Sequence, residues 1–214
     1  MSMKKLLVVD LLAEKEGFGK HGTAEIVSHF PDYEIFLWAP HTTKALDYGW
    51  GVRVDSAIDA DAIIITGSRK NVSQWEDWMD QVADLIRTAD VPIYGICFGH
   101  QIIAASLGGK VVKSENDSNF LADVKYDDGT LVKQLFTHQD HVIDAGEMQV
   151  IASSQHCAIV ACQHPTRPIK SVQFHPEAVH SVMREFILCG DLSEGEASVF
   201  GDAIQDLNVA QSLF

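Results

Sequence analysis

Apolar and polar positions trade places along the first half of the chain in blocks of strand and helix length. Leu6 to Val9 reads as a buried strand, Thr23 to Phe30 as a short helix ended by Pro31, and Glu34 to Trp38 as a second strand. Ala62 to Thr66 is a continuous apolar run rich in β-branched residues, the pattern of a parallel strand covered on both faces. From Trp75 to Ile86 the apolar residues Trp75, Trp78, Met79, Val82, Leu85 and Ile86 recur three and four apart, with Glu76, Asp77, Asp80 and Asp84 opposite. That spacing predicts an amphipathic helix with its aromatics in the core. Val91 to Cys97 reads as a strand, and Gln101 to Leu107 as a helix stopped at Gly108-Gly109.

Beyond that point the period changes. Phe120 to Tyr126, Leu131 to Phe136, Gln149 to Ser153, Ala158 to Cys162 and Ser171 to His175 read as strands, and Val179 to Leu188 as a helix. No repeat or linker interrupts the chain. The expected fold is one α/β domain over residues 1–189, a doubly wound, mostly parallel, flavodoxin-like sheet with helices on both faces and a small antiparallel addition. Residues 190–214 are acidic, with helical spacing at Phe200, Ile204 and Leu207, and are expected to pack on the domain as a closing helix.

Composition narrows the partners more than the fold. The 214 residues, 46% hydrophobic, suffice for a core without disulfides or metals. A formal charge of -14 speaks against nucleic acid, which is held by a Lys/Arg footprint. Cys97, Cys157, Cys162 and Cys189 form no C-x-x-C pair, and a reducing compartment is expected. The apolar run behind Lys4 and Lys5 is shorter than a signal peptide requires, and no segment reaches the ~18 apolar residues of a membrane span. The expected location is the cytoplasm.

The chemistry concentrates at Tyr94-Gly95-Ile96-Cys97-Phe98-Gly99-His100-Gln101, where a strand runs through Gly-x-Cys-x-Gly into a helix. This is a nucleophile-elbow pattern with cysteine in the serine place. The two glycines leave room for close backbone approach, the helix start favours thiolate, and the Phe98 N–H is placed to donate to an oxyanion. Cys97 needs a base and the base an orienting group. Gln173-Phe174-His175-Pro176-Glu177 supplies both, since Pro176 favours an extended His175 and residues two apart in an extended chain share a side.

Together, Gly-Ile-Cys-Phe-Gly-His-Gln at 95–101 and Val-Gln-Phe-His-Pro-Glu at 172–177 resemble class I glutamine amidotransferases, most of all the GMP synthase glutaminase and its stand-alone relatives. Thr66 to Val72 lies where that family has its oxyanion loop, Thr137-His138-Gln139-Asp140 resembles its Ser-His-Gly-Asp segment, and Ala152 to Cys157 its Ala-Ser-Ser-x-x-Cys stretch. The resemblance implies Cys97 as nucleophile, His175 as acid/base and Glu177 as its partner. It implies an oxyanion hole from the N–H groups of Ser68 and Phe98. It implies substrate contacts at Gly67, Gln101, His138 and Gln139, with glutamine or another γ-glutamyl compound as substrate and no cofactor.

Two departures bear on specificity. Ser68 and Arg69 replace the family's common glycine and proline, and Ser114 to Asn119 lacks the Arg-Glu pair of the GMP synthase glutaminase. No Ser-Gly-Gly-x-Asp-Ser loop of an ATP-pyrophosphatase occurs, so any ammonia-consuming synthetase is expected on a separate chain. A stand-alone γ-glutamyl hydrolase or peptidase is the alternative reading, and a degenerate regulatory or binding member the third. His138, Asp140 and His141 have metal-ligating side chains, but the resemblance assigns their stretch to the substrate, and no metal is expected.

Overall fold

The computed structural model describes residues 3–195. Ten strands form one sheet: β1 (Lys4–Val9), β2 (Tyr33–Trp38), β3 (Val52–Val54), β4 (Ala62–Ile65), β5 (Ile93–Ile96), β6 (Lys110–Tyr126), β7 (Leu131–Asp144), β8 (Gln149–Ser154), β9 (Ala161–Gln163) and β10 (Ile169–Val172). Their order is β3-β2-β1-β4-β5-β10-β9-β8-β6-β7. Every pairing from β3 through β10 is parallel, and the pairings among β10, β9, β8, β6 and β7 are antiparallel. The fold is thus the expected mostly parallel α/β sheet.

Alternation along the strands explains the layers. Leu6, Val8 and Ile64 point to one core, with Ile26 of α1 (Gly22–Ser28). Leu7, Val9, Ile63 and Ile65 point to the other, with Met79, Val82 and Ile86 of α2 (Asp77–Thr88) and Ile102 and Ile103 of α3 (Phe98–Ser106). A sheet buried on both faces has no polar side to present, hence its unbroken apolar runs. A third cluster joins Val182, Met183 and Phe186 of α4 (His180–Leu188) to Leu135 of β7 and Phe18. Phe18 lies on a π-helical turn, Glu16–His21.

Several local expectations change. The antiparallel addition is not small: β6 and β7 are 17 and 14 residues long and pair nearly throughout, with a register shift between Lys113 and Ser118. Trp75 precedes α2 and stays 44% exposed, its indole N–H donating to Asp80, so it is no core residue. The π-helical turn and β3 have no counterpart in the pattern of apolar positions. Of the acidic tail, Phe200, Ile204 and Leu207 lie outside the described residues. Its first described residues fold back: the Asp191 carboxylate accepts the Gly17 and Phe18 N–H groups at 2.8 and 3.0 Å.

Strand order reverses between β1 and β4, one flanked by β2 and the other by β5. Loops leaving the carboxyl ends of parallel strands at such a point form the usual crevice of open α/β sheets. The segments after β1, β4, β5 and β10 carry Leu12, Gly67 to Asn71, Cys97 and His175 respectively.

Candidate active site

Cys97 joins β5 to α3 at φ 51° and ψ -101°, and among the described residues it is the one non-glycine with positive φ. Such a conformation is costly for a residue with a Cβ and persists only where its surroundings over-determine it. They do so here. A Cβ on Gly99 would stand 2.2 Å from the Ile65 carbonyl oxygen, and one on Gly95 2.6 Å from the Gly99 backbone. The Cys97 N–H is held by the Val172 carbonyl at 2.8 Å. The strained turn is therefore wedged between β4, β10 and its own helix, and presents the sulfur at the start of α3. Its Sγ lies 3.7 Å from the Thr137 carbonyl of β7.

His175 reaches the same place from the end of β10. Its N–H donates to the Leu135 carbonyl, and Nδ1 meets Glu177 Oε1 at 2.8 Å. The pair forms by a different route from the extended one expected: the Ala178 N–H bonds back to the His175 carbonyl at 3.2 Å, closing a turn with Pro176 in its second position. Proline fixes φ for that corner of the turn. Burial opposes charge on the imidazole, but the Glu177 carboxylate and then Cys97 outweigh it and hold the His175 pKa well above 6.5. Gly67 completes the contact. A Cβ there would come within 3.1 Å of His175 Cε1, a tight approach, and 3.7 Å of Cys97 Cβ, an ordinary contact, so the loop lies directly against both residues.

Two cavities open beside these groups. One, of about 280 Å³, is lined by Cys97, Phe98, Ser68, Gln101, His138 and Gln139, with Lys70, Asn71 and Asp117 adding polar walls. The other, of about 300 Å³, is lined by His175, Glu177, Leu12, Phe18, Met183 and Phe186. Ser68, Arg69, Asn119 and Thr137 line both and form the divide. The structure thus brings Cys97, His175, Glu177, Gly67, Ser68 and Phe98 together.

It gives Gln101, His138 and Gln139 internal work as well. The Gln101 amide donates to the Asp140 carbonyl at 3.0 Å and to Gln173 Oε1 at 3.1 Å. Gln139 accepts from Asn71 at 3.0 Å and donates to Asp117. His138 Nδ1 sits 2.9 Å from the Asp140 carbonyl, and burial foremost drives its pKa down to about 3. The rings of His138, His141 and His156 pack against one another, and Phe136 meets His156 edge to face, a cluster in the wall. Among the described residues no three His, Cys, Asp or Glu side chains are grouped to hold a metal ion.

Sequence reasoning missed Asp140 and Ser73 as a structural link. Both carboxylate oxygens of Asp140 are taken, by the Ser73 N–H at 2.7 Å and the Ser73 hydroxyl at 2.6 Å. This part-buried link ties β7 to the loop after β4 and so fixes the mouth of the polar cavity. Its signal was the aspartate of Thr137-His138-Gln139-Asp140, set beside histidines that drew attention to metals instead.

A strained cysteine at a strand–helix junction, faced by a part-buried His–Glu pair on a mostly parallel α/β sheet, forms a Cys-His-carboxylate arrangement. Residues 36–192 match the family model described as glutamine amidotransferase class-I, and the chain belongs to that family of enzymes. It is 33% identical over 170 residues to a glutamine-hydrolysing GMP synthase subunit of Pyrococcus abyssi, covering 72% of this chain and 85% of that one. To the corresponding GMP synthase subunit of Methanocaldococcus jannaschii it is 37% identical over 107 residues, 46% and 57% of the two chains. The crystal structure of a glutamine amidotransferase from Thermotoga maritima superposes with a TM-score of 0.72 at 14% identity, over 100% of this chain and 95% of that one, a likeness of fold alone.

Proposed function

We propose that the chain hydrolyses the side-chain amide of glutamine through a γ-glutamyl thioester on Cys97 and supplies ammonia to a separate synthetase chain. The observation that carries this is the part-buried His175–Glu177 pair set beside the strained Cys97, with Gly67 against both. Two relatives named as subunits of glutamine-hydrolysing GMP synthase support the choice of substrate and the separate partner.

The polar cavity suits a γ-glutamyl group, with Arg69 and Lys70 for its carboxylate and Asp117 for its ammonium. Cys97 Sγ attacks the carboxamide carbon. The charge growing on oxygen is met by the N–H of Phe98, at the helix position that lacks an intrahelical acceptor, and by the N–H of Ser68. His175 passes a proton to the leaving nitrogen, and the C–N bond breaks as ammonia departs. Water, deprotonated by the same imidazole, then cleaves the thioester to glutamate. Glu177 fixes the ring's tautomer and balances its charge. Gln101, held by Asp140 and Gln173, forms part of the floor.

Acid quenching during turnover with glutamine, followed by mass spectrometry of the digested protein, tests the mechanism. The expected result is a γ-glutamyl adduct on the Cys97 peptide that vanishes in Cys97→Ala. Glutamate formation undiminished in that variant would overturn it.

A further inference from the structure

The two cavities differ in chemistry as well as place. The one containing Cys97 is walled by charged and amide side chains, whereas Leu12, Phe18, Leu135, Met183, Phe186 and Leu192 give the other an apolar wall, set beside the charged Arg69, Glu177 and Asp191. Only the second touches His175 and Glu177. In acyl transfer the acyl group stays on the nucleophile and the leaving nitrogen lies where the acid can protonate it. An amide bound with its γ-glutamyl part against Cys97 therefore directs its amine into the apolar cavity.

That space is larger than ammonia needs. Its volume of about 300 Å³ falls at the lower edge of the ~300 to 1,000 Å³ typical of small-molecule pockets, while one molecule of water in the liquid takes ~30 Å³. Its walls are also fixed. Phe18 and Phe186 meet edge to face at 4.7 Å, and Asp191 pins the turn that bears Phe18 to the end of α4.

We propose that this cavity is a leaving-group subsite for amines bearing a bulky apolar group, as in γ-glutamyl dipeptides of phenylalanine or leucine. The inference rests on the acyl-transfer reading given above and extends its substrate class. Cys97 Sγ bonds to the γ-carbonyl carbon, the C–N bond breaks, the His175 proton goes to the amine, and the amine leaves through the apolar side. Water then releases glutamate and restores the thiol, so one amide and one water yield glutamate and one amine.

The test measures kcat/KM for glutamine, γ-glutamyl-glycine, γ-glutamyl-leucine and γ-glutamyl-phenylalanine with the full chain, alongside labelling of Cys97 by a γ-glutamyl electrophile. Small changes of apolar fit are worth ~10- to 200-fold in kcat/KM, so the leucine and phenylalanine dipeptides are expected to exceed the glycine dipeptide by at least ~10-fold. In Phe18→Ala, and separately in the half-buried Leu12→Ala, that ratio is expected to fall towards one. Dipeptides turned over without regard to side chain, or glutamine alone turned over, would overturn the subsite and leave the glutaminase reading standing. So would labelling of Cys97 with no turnover of any dipeptide. Absence of both labelling and turnover would overturn the acyl-transfer reading and the subsite with it.

Discussion

Glu177 Oε1 lies 2.8 Å from His175 Nδ1, while its Oε2 is buried with no hydrogen-bond partner among the described residues. The carboxylate is thus committed to the imidazole through one oxygen. Glu177→Gln keeps an oxygen for that bond and removes only the charge, whereas His175→Ala removes proton transfer itself. Acid/base catalysis is commonly worth ~10² to 10⁴ in rate, so His175→Ala should lose that much. Glu177→Gln should lose about one order of magnitude less. Steady-state kinetics on folded variants checks this, and a larger loss in Glu177→Gln would reverse the assigned roles.

The same contact sets a pH dependence. The folded His175 pKa stands above its ordinary 6.5 because Glu177 and Cys97 outweigh burial. A raised pKa contributes stability that is full below the unfolded value and is lost as pH climbs from 6.5 through the folded value. Thermal unfolding of wild type and Glu177→Gln should therefore differ most near pH ~6, with wild type the more stable, and converge as pH rises through the folded value. An NMR titration should show the His175 ring remaining charged at neutral pH in wild type and titrating lower in the variant. A gap that widens with pH would contradict the coupling.

Thiol selectivity should follow burial and charge. Burial foremost raises the pKa of Cys157 and pushes Cys162 up to about 12. Cys189 is raised by burial and then by Glu16, Glu185 and Asp191. Thiolate is the reacting form, so all three should be slow. A glutamine-mimicking electrophile should label Cys97 first, as peptide mass spectrometry would show. Faster labelling of any other cysteine with Cys97 untouched would remove the basis for the mechanism.

The parallel half of the sheet was legible because strands buried on both faces must be apolar throughout, as Leu6 to Val9 and Ala62 to Ile65 are. Of the β6–β7 hairpin, the halves next to the turn were, as Phe120 to Tyr126 and Leu131 to Phe136, whereas Lys110 to Asn119 and Thr137 to Asp144 were not. Its burial alternates correctly along β7 at Val132, Gln134, Phe136, His138, Asp140 and Val142, but three of these inward residues are polar. A period-two signal written partly in polar residues reads as loop. Among them His138 lines the polar cavity and Asp140 holds Ser73, so the second half of β7 was hidden by the polar residues that build the site. Cys97, His175 and Glu177 were legible from local motifs, yet the turn that joins the last two was not. The Phe18 cavity escaped notice because its walls come from segments far apart in sequence, each reading as ordinary core.

Gly99 of the elbow and Gly108 at the end of α3 offer a stability contrast. At Gly99 an added methyl would collide with the Ile65 carbonyl at 2.2 Å, a backbone atom that cannot swing aside. At Gly108, with φ +82°, nothing lies within 4 Å. Gly108→Ala should cost only the left-handed backbone penalty, ~1 to 2 kcal/mol. Gly99→Ala should cost more, through overpacking that alone is typically ~1 to 3 kcal/mol and here falls on backbone against backbone. Urea unfolding of the two variants orders them, and equal costs would mean that the turn can relax away from β4.

The last prediction concerns free glutamine. Ser68, Arg69, Lys70 and Asn119 line the polar cavity, and Arg69, Lys70 and Asn119 are exposed along its rim. Among the described residues Arg69 makes no ion pair, while Lys70 is drawn towards Glu76 at 2.9 Å. Of the cations suited to a substrate carboxylate, one is thus exposed and the other engaged by Glu76, and a side chain not already fixed loses rotamer entropy when it binds. A partner chain packed on this rim would fix them beforehand. The isolated chain should therefore turn over free glutamine slowly, with KM high. Addition of a cognate synthetase with its own substrates should raise kcat/KM by at least ~10-fold, the factor that ~1.4 kcal/mol of preorganisation supplies. A coupled glutamate assay, run with and without the partner and with Cys97→Ala as the blank, makes the comparison. Rapid turnover by the chain alone, unchanged by any partner, would show that the rim is already organised and that the site needs no second chain.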